Sequence, residues 1–409
     1  MVKNKSMRIV FALAAQYRLL VKQIDFVTAF LNAGLEETIY MYQPEGFETH
    51  DSNGRKLVWR LKKALYGLKQ SPRQWNSEID VTHIKLGYTP TISDPCIYVK
   101  RMDGYPPLIL WLYVDDTLAV YHPDIEYIWL ADKAAISDRY PITDIGDCNW
   151  VLNMEVKQSD DRSVITLSQR AYIERVLEQY NMSDCKPALT PAQHIDLNNP
   201  SLPVGKPLST AQHELYRKIV GSTLYAANTT RIDIAHTVRM LARFVCSPTT
   251  THLTAAKHLL RYLRGTMDYC LKFEDNGQSN LQLTVYADSN WSGDKTDRKS
   301  TTGYIVQLNN NTISWQSKKQ PTVALSSTEA EYMGLSSATC EIKWTNMLMQ
   351  QMLQTTIPVE LFCDNQSAIA IVRSDNYSKR TKHVDTRHHF IKQYVRDGSI
   401  NLQYQQKTN

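Results

Sequence analysis

The stretch LILWLYVDDTLAVYH, residues 108–122, decides the first half of the fold. Two apolar runs flank the adjacent acids Asp115 and Asp116, a pattern that predicts a buried β-hairpin with acids at its tip. A bare Asp-Asp pair in a turn is more often a solvated turn former. Because the flanking runs bury this hairpin, its carboxylates lie where negative charge is costly without a cation.

A third acid, Asp25, stands at the end of an earlier apolar strand, and a short helix through Phe30 follows it. If the two strands are neighbours, Asp25, Asp115 and Asp116 meet at one end of a sheet. Two-metal phosphoryl transfer needs several carboxylates that converge from different elements. Oxygen ligands of this kind suit magnesium.

The last third of the chain contains a second set of acids at the ends of predicted elements. After residue 280 the pattern predicts strand, strand, strand, helix, strand and helix, which indicates a mixed sheet flanked by helices. Acids occur at the ends of four of these predicted elements: Asp288, Glu331, Asp364 and Asp385. Glu329 competes with Glu331, since residues two apart on a helix cannot share a face. Asp385 has an alternative role as the N-cap of the helix that follows it.

Composition sets the broad class. The chain has 409 residues, of which 43% are hydrophobic and 21% charged, as expected for an ordinary globular protein of two or three domains. Its net charge of +5 is compatible with nucleic-acid partners but does not require them. Seven cysteines without a CxxC pair argue against a secreted disulfide framework and a thiolate zinc site. No apolar run is long enough to span a membrane.

Other segments predict further helices, a strand and a linker. The apolar stretch Ile9–Ala15 predicts an amphipathic helix that packs on a core. A strand is predicted at Val164–Leu167, followed by a helix capped by Ser168. The proline-rich residues 186–208 predict a linker. Three helices follow, which we predict at 210–228, 231–246 and 250–264. We therefore expect an α+β fold.

Three blocks carry a family resemblance: QIDFVTAFLNA at 23–33, LKKALYGLKQSPRQW at 61–75 and LYVDD at 112–116. In this order they resemble the signature blocks of copia-type reverse transcriptases, and the last third resembles the RNase H of the same elements. The resemblance implies three domains. They are a reverse-transcriptase palm-like domain over 1–185 with truncated fingers, a linker and helical thumb or connection over 186–279, and an RNase H-like domain over 280–409 with a truncated end.

The resemblance also implies roles for single residues. Asp25, Asp115 and Asp116 would be the catalytic metal ligands of the polymerase, and Asp288, Glu331, Asp364 and Asp385 those of the RNase H. The phrase EYMGL favours Glu331 over Glu329. Phe30 resembles the gate that excludes a ribonucleotide 2′-hydroxyl, and the remaining nucleotide contacts would be Tyr66, Gly67 and Gln70. Asn153 stands where the family usually has glycine, which predicts a positive φ.

A basic segment surrounds Asp385 and contains Lys379, Arg380, Lys382 and Arg387. A solvated face is one interpretation, and contact with a nucleic-acid backbone is the other.

The implied task is to copy RNA into DNA and to degrade the RNA of the hybrid. The implied cofactors are two Mg²⁺ ions per site, with Mn²⁺ as a substitute, and the implied partners are an RNA template, a DNA primer, the RNA–DNA hybrid and dNTPs. Integrase and protease would belong to a longer parent Pol polyprotein, in a cytoplasmic virus-like particle whose product reaches the nucleus. The alternative is a truncated, inactive remnant that at most binds nucleic acid.

Overall fold

The computed structural model describes residues 2–192, 205–374 and 390–406. The chain divides into two compact units. The first unit is Met1–Lys3 with Leu19–Cys148, and the second unit is Asn4–Arg18 with Asn149–Asn409. The two units are defined by packing, whereas the predicted division into three domains is based on activity. The three-domain division therefore stays a prediction.

The first helix of the chain, α1 (Asn4–Gln16), belongs to the second unit. Every residue from Met7 to Ala15 along it is buried. The helix that the sequence predicts around Ile9–Ala15 is therefore confirmed, as is its packing on a core.

The first unit is built on a six-stranded sheet. Its strands in chain order are β1 (Leu20–Phe26), β4 (Thr89–Pro90), β5 (Ile97–Lys100), β6 (Leu108–Tyr113), β7 (Asp116–Tyr121) and β8 (Ile142–Asp147), and a separate two-stranded sheet is formed by β2 (Tyr40–Tyr42) and β3 (Val58–Arg60). The helices are α2 (Ser71–Lys85) and α3 (Glu126–Arg139), with 3₁₀ turns at Ala29–Asn32 and Pro123–Ile125.

The strand order is β4-β5-β6-β7-β1-β8, and all neighbours are antiparallel. Helix α2 covers the face of the sheet that contains Phe26. The ring of Phe26 lies 5.0 Å from that of Trp75 on α2, edge to face. Successive side chains of a strand point to opposite faces, so Asp25 faces away from α2.

The second unit contains two further sheets and most of the helices. The strands are β9 (Trp150–Val151), β10 (Met154–Gln158), β11 (Val164–Ser168), β12 (Cys270–Glu274), β13 (Leu283–Asn290), β14 (Thr301–Leu308), β15 (Asn311–Lys319), β16 (Val359–Cys363) and β17 (Asn401–Tyr404). The helices after α1 are α4 (Arg170–Gln179), α5 (Thr210–Thr229), α6 (Ala235–Ala242), α7 (Thr250–Gly265), α8 (Ser327–Leu353), α9 (Gln366–Arg373) and α10 (Ile391–Arg396), with a 3₁₀ turn at Ile232–Ile234.

The larger of these sheets has the order β15-β14-β13-β16-β17. Strands β13, β16 and β17 are parallel, while β14 and β15 pair antiparallel as successive hairpins. Helix α8 packs on β13 and β14. The mixed sheet expected after residue 280 is thus confirmed, and α9 is an additional helix that the sequence pattern did not indicate.

The second sheet has the order β12-β11-β10-β9. Helices α4 to α7 share one apolar cluster, which includes Ile173, Tyr216, Leu241 and Leu260. The three predicted helices after residue 208 therefore exist and pack together, although the middle one is shorter than expected. None of the described helices combines the length and apolar content that crossing a membrane would need.

Two local predictions can be compared with the backbone. Asn153 has φ of 61° in the two-residue turn between β9 and β10, so the predicted positive φ is confirmed. The predicted cap of α4 is wrong. Ser168 is the last residue of β11, and the helix begins two residues later at Arg170, after Gln169. The hydroxyl of Ser168 accepts a hydrogen bond from the Arg170 N–H at 3.2 Å, so the local bond forms without making Ser168 the cap residue.

Candidate active sites

The first carboxylate cluster lies where β1 meets the β6–β7 hairpin. Asp25 stands directly opposite Asp116 in the antiparallel register. Asp115 occupies the two-residue turn between β6 and β7, and its carbonyl accepts the N–H of Phe26 at 2.8 Å. Directly opposed residues of an antiparallel pair project from the same face. The register therefore brings together the three acids that the sequence selected.

Burial and mutual repulsion raise the pKa of two of these acids. Burial is the larger cause for Asp25, and the neighbouring charges of Asp116 and Asp115 add to it. Burial also raises the pKa of Asp116, although the hydrogen bond donated by Gln23 to its Oδ1 at 3.0 Å acts in the opposite direction. The cluster is thus a place where negative charge is destabilising until a cation neutralises it.

The turn that carries Asp115 is held by α2. The indole N–H of Trp75 donates to the carbonyl of Val114 at 2.8 Å. Val114 has φ of 55°, a conformation that β-branched residues rarely adopt. Such strain persists where the surroundings determine the backbone, as Trp75 does here.

The residues expected to contact a nucleotide surround Asp115. The Tyr66 hydroxyl donates to Oδ2 of Asp115 at 2.9 Å, and the rings of Tyr66 and Phe30 are 4.5 Å apart. Burial, followed by the contact with Asp115, raises the pKa of Tyr66 to about 12.

Gly67 has φ of 97°, which glycine alone adopts easily. Gln70 donates to Glu37 at 3.1 Å.

The donor set of this cluster suits a hard divalent cation, because it offers carboxylate oxygens alone. Among the described residues, the buried Oδ1 atom of Asp115 has no hydrogen-bond partner. An orphaned carboxylate oxygen between two other acids is what a metal ion would satisfy. Sequence reasoning missed Gln23, which is 4% exposed. Its position two residues before Asp25, and hence on the same face of β1, was the available signal.

The second cluster lies where α8 approaches β13. Oε1 of Glu331 accepts the N–H of Ser289, the residue after Asp288, at 3.1 Å. Glu329 instead accepts the N–H of Leu325 at 2.8 Å, while its own N–H is bound by the N-cap residue Ser326. Of the two glutamates, Glu331 faces the sheet and Glu329 completes the start of the helix.

Strand β16 brings Asp364 to the same place. Ligand atoms of Glu331, Cys363 and Asp364 lie within 4.8 Å of one another. Burial raises the pKa of the Cys363 thiol to about 12, and the charges of Glu331, Asp364 and Asp288 reinforce this shift. Because hard divalent cations prefer oxygen ligands to sulfur, the carboxylates of Glu331 and Asp364 are the better ligands for such an ion. Sequence reasoning did not identify Cys363.

Asp288 and Asp364 line one cavity of about 500 Å³ on the sheet, beside Tyr286 and Phe362. The rings of those aromatic residues are 5.4 Å apart. Asp385, together with the basic segment of Lys379, Arg380, Lys382 and Arg387, lies outside the described residues. Three of the four acids predicted for this site are therefore placed by the structure.

Comparisons with known proteins identify the family to which the chain belongs. A family described as reverse transcriptase (RNA-dependent DNA polymerase) matches residues 1–194. The putative transposon Ty5-1 protein of Saccharomyces cerevisiae is 34% identical over 323 residues, which are 78% of this chain and 100% of that protein. The chain belongs to the copia-type retrotransposon Pol polyprotein family. The family match over residues 1–194 supports the reverse-transcriptase interpretation and does not favour the alternative of an inactive remnant.

Longer members of the copia-type family match almost the whole chain. The retrovirus-related Pol polyprotein from transposon TNT 1-94 of Nicotiana tabacum is 41% identical over 98% of this chain and 30% of that protein. The corresponding polyprotein from transposon RE1 of Arabidopsis thaliana is 36% identical over 98% of this chain and 26% of its own length. This copia-type chain thus spans less than a third of the Pol polyproteins it resembles.

Among solved structures, an RNase H1 isolated from compost matches with 12% identity and a TM-score of 0.23, over 31% of this chain and 85% of that one. No conclusion about the fold rests on that likeness.

Proposed function

We propose that this chain is an RNA-directed DNA polymerase that also degrades the RNA of the hybrid it makes, with one carboxylate site for each reaction. The direct register of Asp25 opposite Asp116, with Asp115 in the adjoining turn, carries the proposal. Reverse transcriptases use divalent metal ions, and we propose two Mg²⁺ ions at each site, with Mn²⁺ as a substitute.

At the first site, the 3′-hydroxyl of a DNA primer attacks the α-phosphate of a dNTP, a new phosphodiester bond forms, and pyrophosphate leaves. The metal ions supply charge neutralisation at the phosphates. Asp25, Asp115 and Asp116 would hold these ions in place. Tyr66, bonded to Asp115, positions the sugar of the nucleotide, and Phe30 behind it restricts the space at the 2′ position. Gly67 and Gln70 line the approach of the nucleotide and template.

At the second site, Asp288, Glu331 and Asp364 would hold the ions. Water attacks a phosphodiester bond of the RNA. The bond to the 3′-oxygen breaks, so one product ends in a 3′-hydroxyl and the other in a 5′-phosphate. Asp385 is the proposed fourth ligand, and Lys379, Arg380, Lys382 and Arg387 are proposed contacts to the nucleic-acid backbone. Both reactions depend mainly on positioning and charge neutralisation.

The proposed domains are a palm-like polymerase domain over 1–185, a helical connection over 186–279 and an RNase H-like domain over 280–409. The substrates are an RNA template, a DNA primer, dNTPs and the resulting hybrid. We propose that the chain acts beside the integrase and protease of a parent polyprotein, in a cytoplasmic particle whose DNA product goes to the nucleus.

Two variants test the assignment of one reaction to each site. Asp115→Asn removes a negative charge from the first cluster, so primer extension should fall by a factor of about 100 or more while RNA cleavage is retained. Asp364→Asn should have the opposite effect. Both activities are measured with Mg²⁺ on one labelled RNA template annealed to a DNA primer.

The matched controls are Asp138→Asn and Asp160→Asn, which change exposed acids in the first and second units respectively. Both should retain extension and cleavage. Equal loss of the two activities in Asp115→Asn and Asp364→Asn would contradict the two-site assignment. Absence of both activities in the unchanged chain would favour the inactive remnant.

A further inference from the structure

An apolar ridge lies next to the end of β13 and the start of α8, the elements that contain Asp288 and Glu331. It consists of Trp291, Val323 and Leu325, whose side chains are 46%, 44% and 70% exposed. The indole N–H of Trp291 donates to the carbonyl of Ala324 at 3.0 Å, which joins the loop after β13 to the segment before α8. Exposed apolar groups that cluster in this way often mark a contact surface.

The ridge is attached to both elements that carry proposed catalytic acids. Trp291 directly follows β13 and is three residues beyond Asp288. Leu325 directly precedes the cap of α8, and its N–H is bound by Glu329, two residues before Glu331. A nucleic acid whose phosphate reaches the carboxylates would therefore meet the ridge with its neighbouring nucleotides.

The loop that presents Trp291 is held in one conformation. Asp294 is 5% exposed and forms ion pairs with Lys319 and, at 3.5 Å, with Arg243. The N–H of Ser292 donates to Ser300 at 3.1 Å across the base of the loop. These polar contacts hold the loop from which the half-exposed indole of Trp291 projects.

The charges of this loop favour a polyanion. Its two acids, Asp294 and Asp297, are both paired with Lys319. Its three cations are Lys295, Arg298 and Lys299, and Lys318 at the end of β15 is exposed. Cations around an apolar ridge match a duplex, in which phosphates flank a groove lined by sugars and base edges.

We propose that Trp291 and Leu325 insert into the minor groove of the RNA–DNA hybrid and select it over B-form DNA. The minor groove of A-form helices is wide and shallow and displays sugars, so it can receive two adjacent apolar side chains. The minor groove of B-DNA is only about 6 Å wide. This inference rests on the proposed RNase H function and adds the residues that distinguish its substrate.

Cleavage kinetics provide the first test. Trp291→Ala should raise the KM for hybrid cleavage about tenfold, the loss expected when one aromatic contact to nucleic acid is removed. The value of kcat and the rate of primer extension should stay unchanged, since the carboxylates of both sites are intact. Leu325→Ala should act in the same direction. The matched controls in the second unit are Trp150→Ala and Leu189→Ala, whose side chains are 50% and 98% exposed.

A binding measurement keeps the test independent of catalysis. In the full chain labelled with 5-fluorotryptophan, the fluorine resonance of Trp291, assigned with Trp291→Phe, should shift when the hybrid is added but not with a DNA duplex of the same sequence. Trp150 serves as the internal reference. A resonance that stays in place at saturating hybrid, or that moves equally with both duplexes, would overturn the proposal. If Trp291 responds and the chain cleaves nothing, the RNase H assignment fails and the binding inference stands.

Discussion

At the scale of single residues, Phe30 is the side chain that we propose restricts the first site around the sugar of a nucleotide. It is 8% exposed and packs on Tyr66, which is bonded to Asp115. A smaller residue would open space at this point without removing a carboxylate. Nucleotide selection and catalysis should therefore respond separately to substitution here.

We expect Phe30→Val to increase ribonucleotide incorporation relative to deoxyribonucleotide incorporation by roughly 10- to 100-fold, the range for removing a steric contact in a pocket. The ratio of kcat/KM for the two nucleotides measures this effect. Phe47→Val is the matched control, because Phe47 is 67% exposed in the same unit. An unchanged ratio in Phe30→Val would show that another group excludes the 2′-hydroxyl.

The acids of the first cluster should reduce the stability of the metal-free chain at neutral pH. The pKa values of Asp25 and Asp116 are raised in the folded state above their usual value of 3.8. The folded chain therefore holds more protons than the unfolded chain between the usual and the raised pKa. Stability falls as pH rises through this window and stays lower above it.

Asp116→Asn should consequently raise the melting temperature of the metal-free chain at pH 7 by about 2–4 °C. The asparagine oxygen can still accept the hydrogen bond from Gln23. The gain should disappear as pH falls towards 4, and Mg²⁺ should stabilise the unchanged chain more than the variant. A scan of melting temperature against pH, with and without Mg²⁺ and with Asp138→Asn as control, tests these expectations. A loss of stability at all pH values would contradict it.

At the scale of elements, the contact between α8 and β13 determines where Glu331 lies. A Cβ atom on Gly334 would stand 2.4 Å from Oγ of Ser289, so an alanine here would require either this hydroxyl or α8 to shift. Gly334 is three residues after Glu331 and lies on the same face of α8. The close approach lets Glu331 reach the N–H of Ser289.

Gly334→Ala should push α8 away from β13 and lower hybrid cleavage by roughly 100-fold, the effect of a displacement near 1 Å at a reacting centre. Overpacking should cost about 1–3 kcal/mol of stability. Primer extension should be retained. Cleavage assays and chemical denaturation measure these effects.

Two controls separate packing from a general effect of the substitution. Gly221→Ala on α5 adds a methyl group that meets nothing within 4 Å, so it should leave cleavage unchanged. Combining Gly334→Ala with Ser289→Ala removes the clashing hydroxyl and should restore part of the cleavage rate. Full activity in Gly334→Ala alone would show that the close approach does not matter for Glu331.

At the scale of the whole molecule, the first helix is part of the unit formed by the last 261 residues, 149–409. Arg8 is 4% exposed, and its guanidinium donates to the carbonyls of Ile313, Asn228 and Thr229 at 2.7, 3.0 and 3.0 Å. The ammonium of Lys5 reaches Glu341 on α8 at 2.8 Å. The second unit is therefore completed by residues from the opposite end of the chain.

Arg8→Ala should destabilise the second unit by about 3 kcal/mol or more, because two buried carbonyls and one partly buried carbonyl lose a donor. Hydrogen exchange at the amides of β15 would report the loss. Arg18→Ala is the matched control, since Arg18 is 57% exposed in its ion pair with Asp275 and should contribute less than about 1 kcal/mol. A similar small effect of both variants would mean that α1 is not required for the second unit.

The sequence by itself determined the elements and the kinds of residue at their ends. The LYVDD hairpin, the short helix at Phe30, helix α1 and the strands after residue 280 follow from local periodicity and turn residues, which depend on neighbours in the chain. The positive φ of Asn153 was predicted from the resemblance, because the family usually has glycine at this position. Asp25, Asp115 and Asp116 could also be selected, since charge at the end of an apolar strand is visible in sequence.

Only the tertiary structure decided which of these elements meet. The register that sets Asp25 opposite Asp116, the packing of α8 that turns Glu331 rather than Glu329 to the sheet, and the inclusion of α1 in the second unit all involve residues distant in sequence. Local pattern also misplaced the start of α4, where Ser168 continues the strand. Such outcomes depend on the fit between surfaces, and no short window of sequence contains both surfaces.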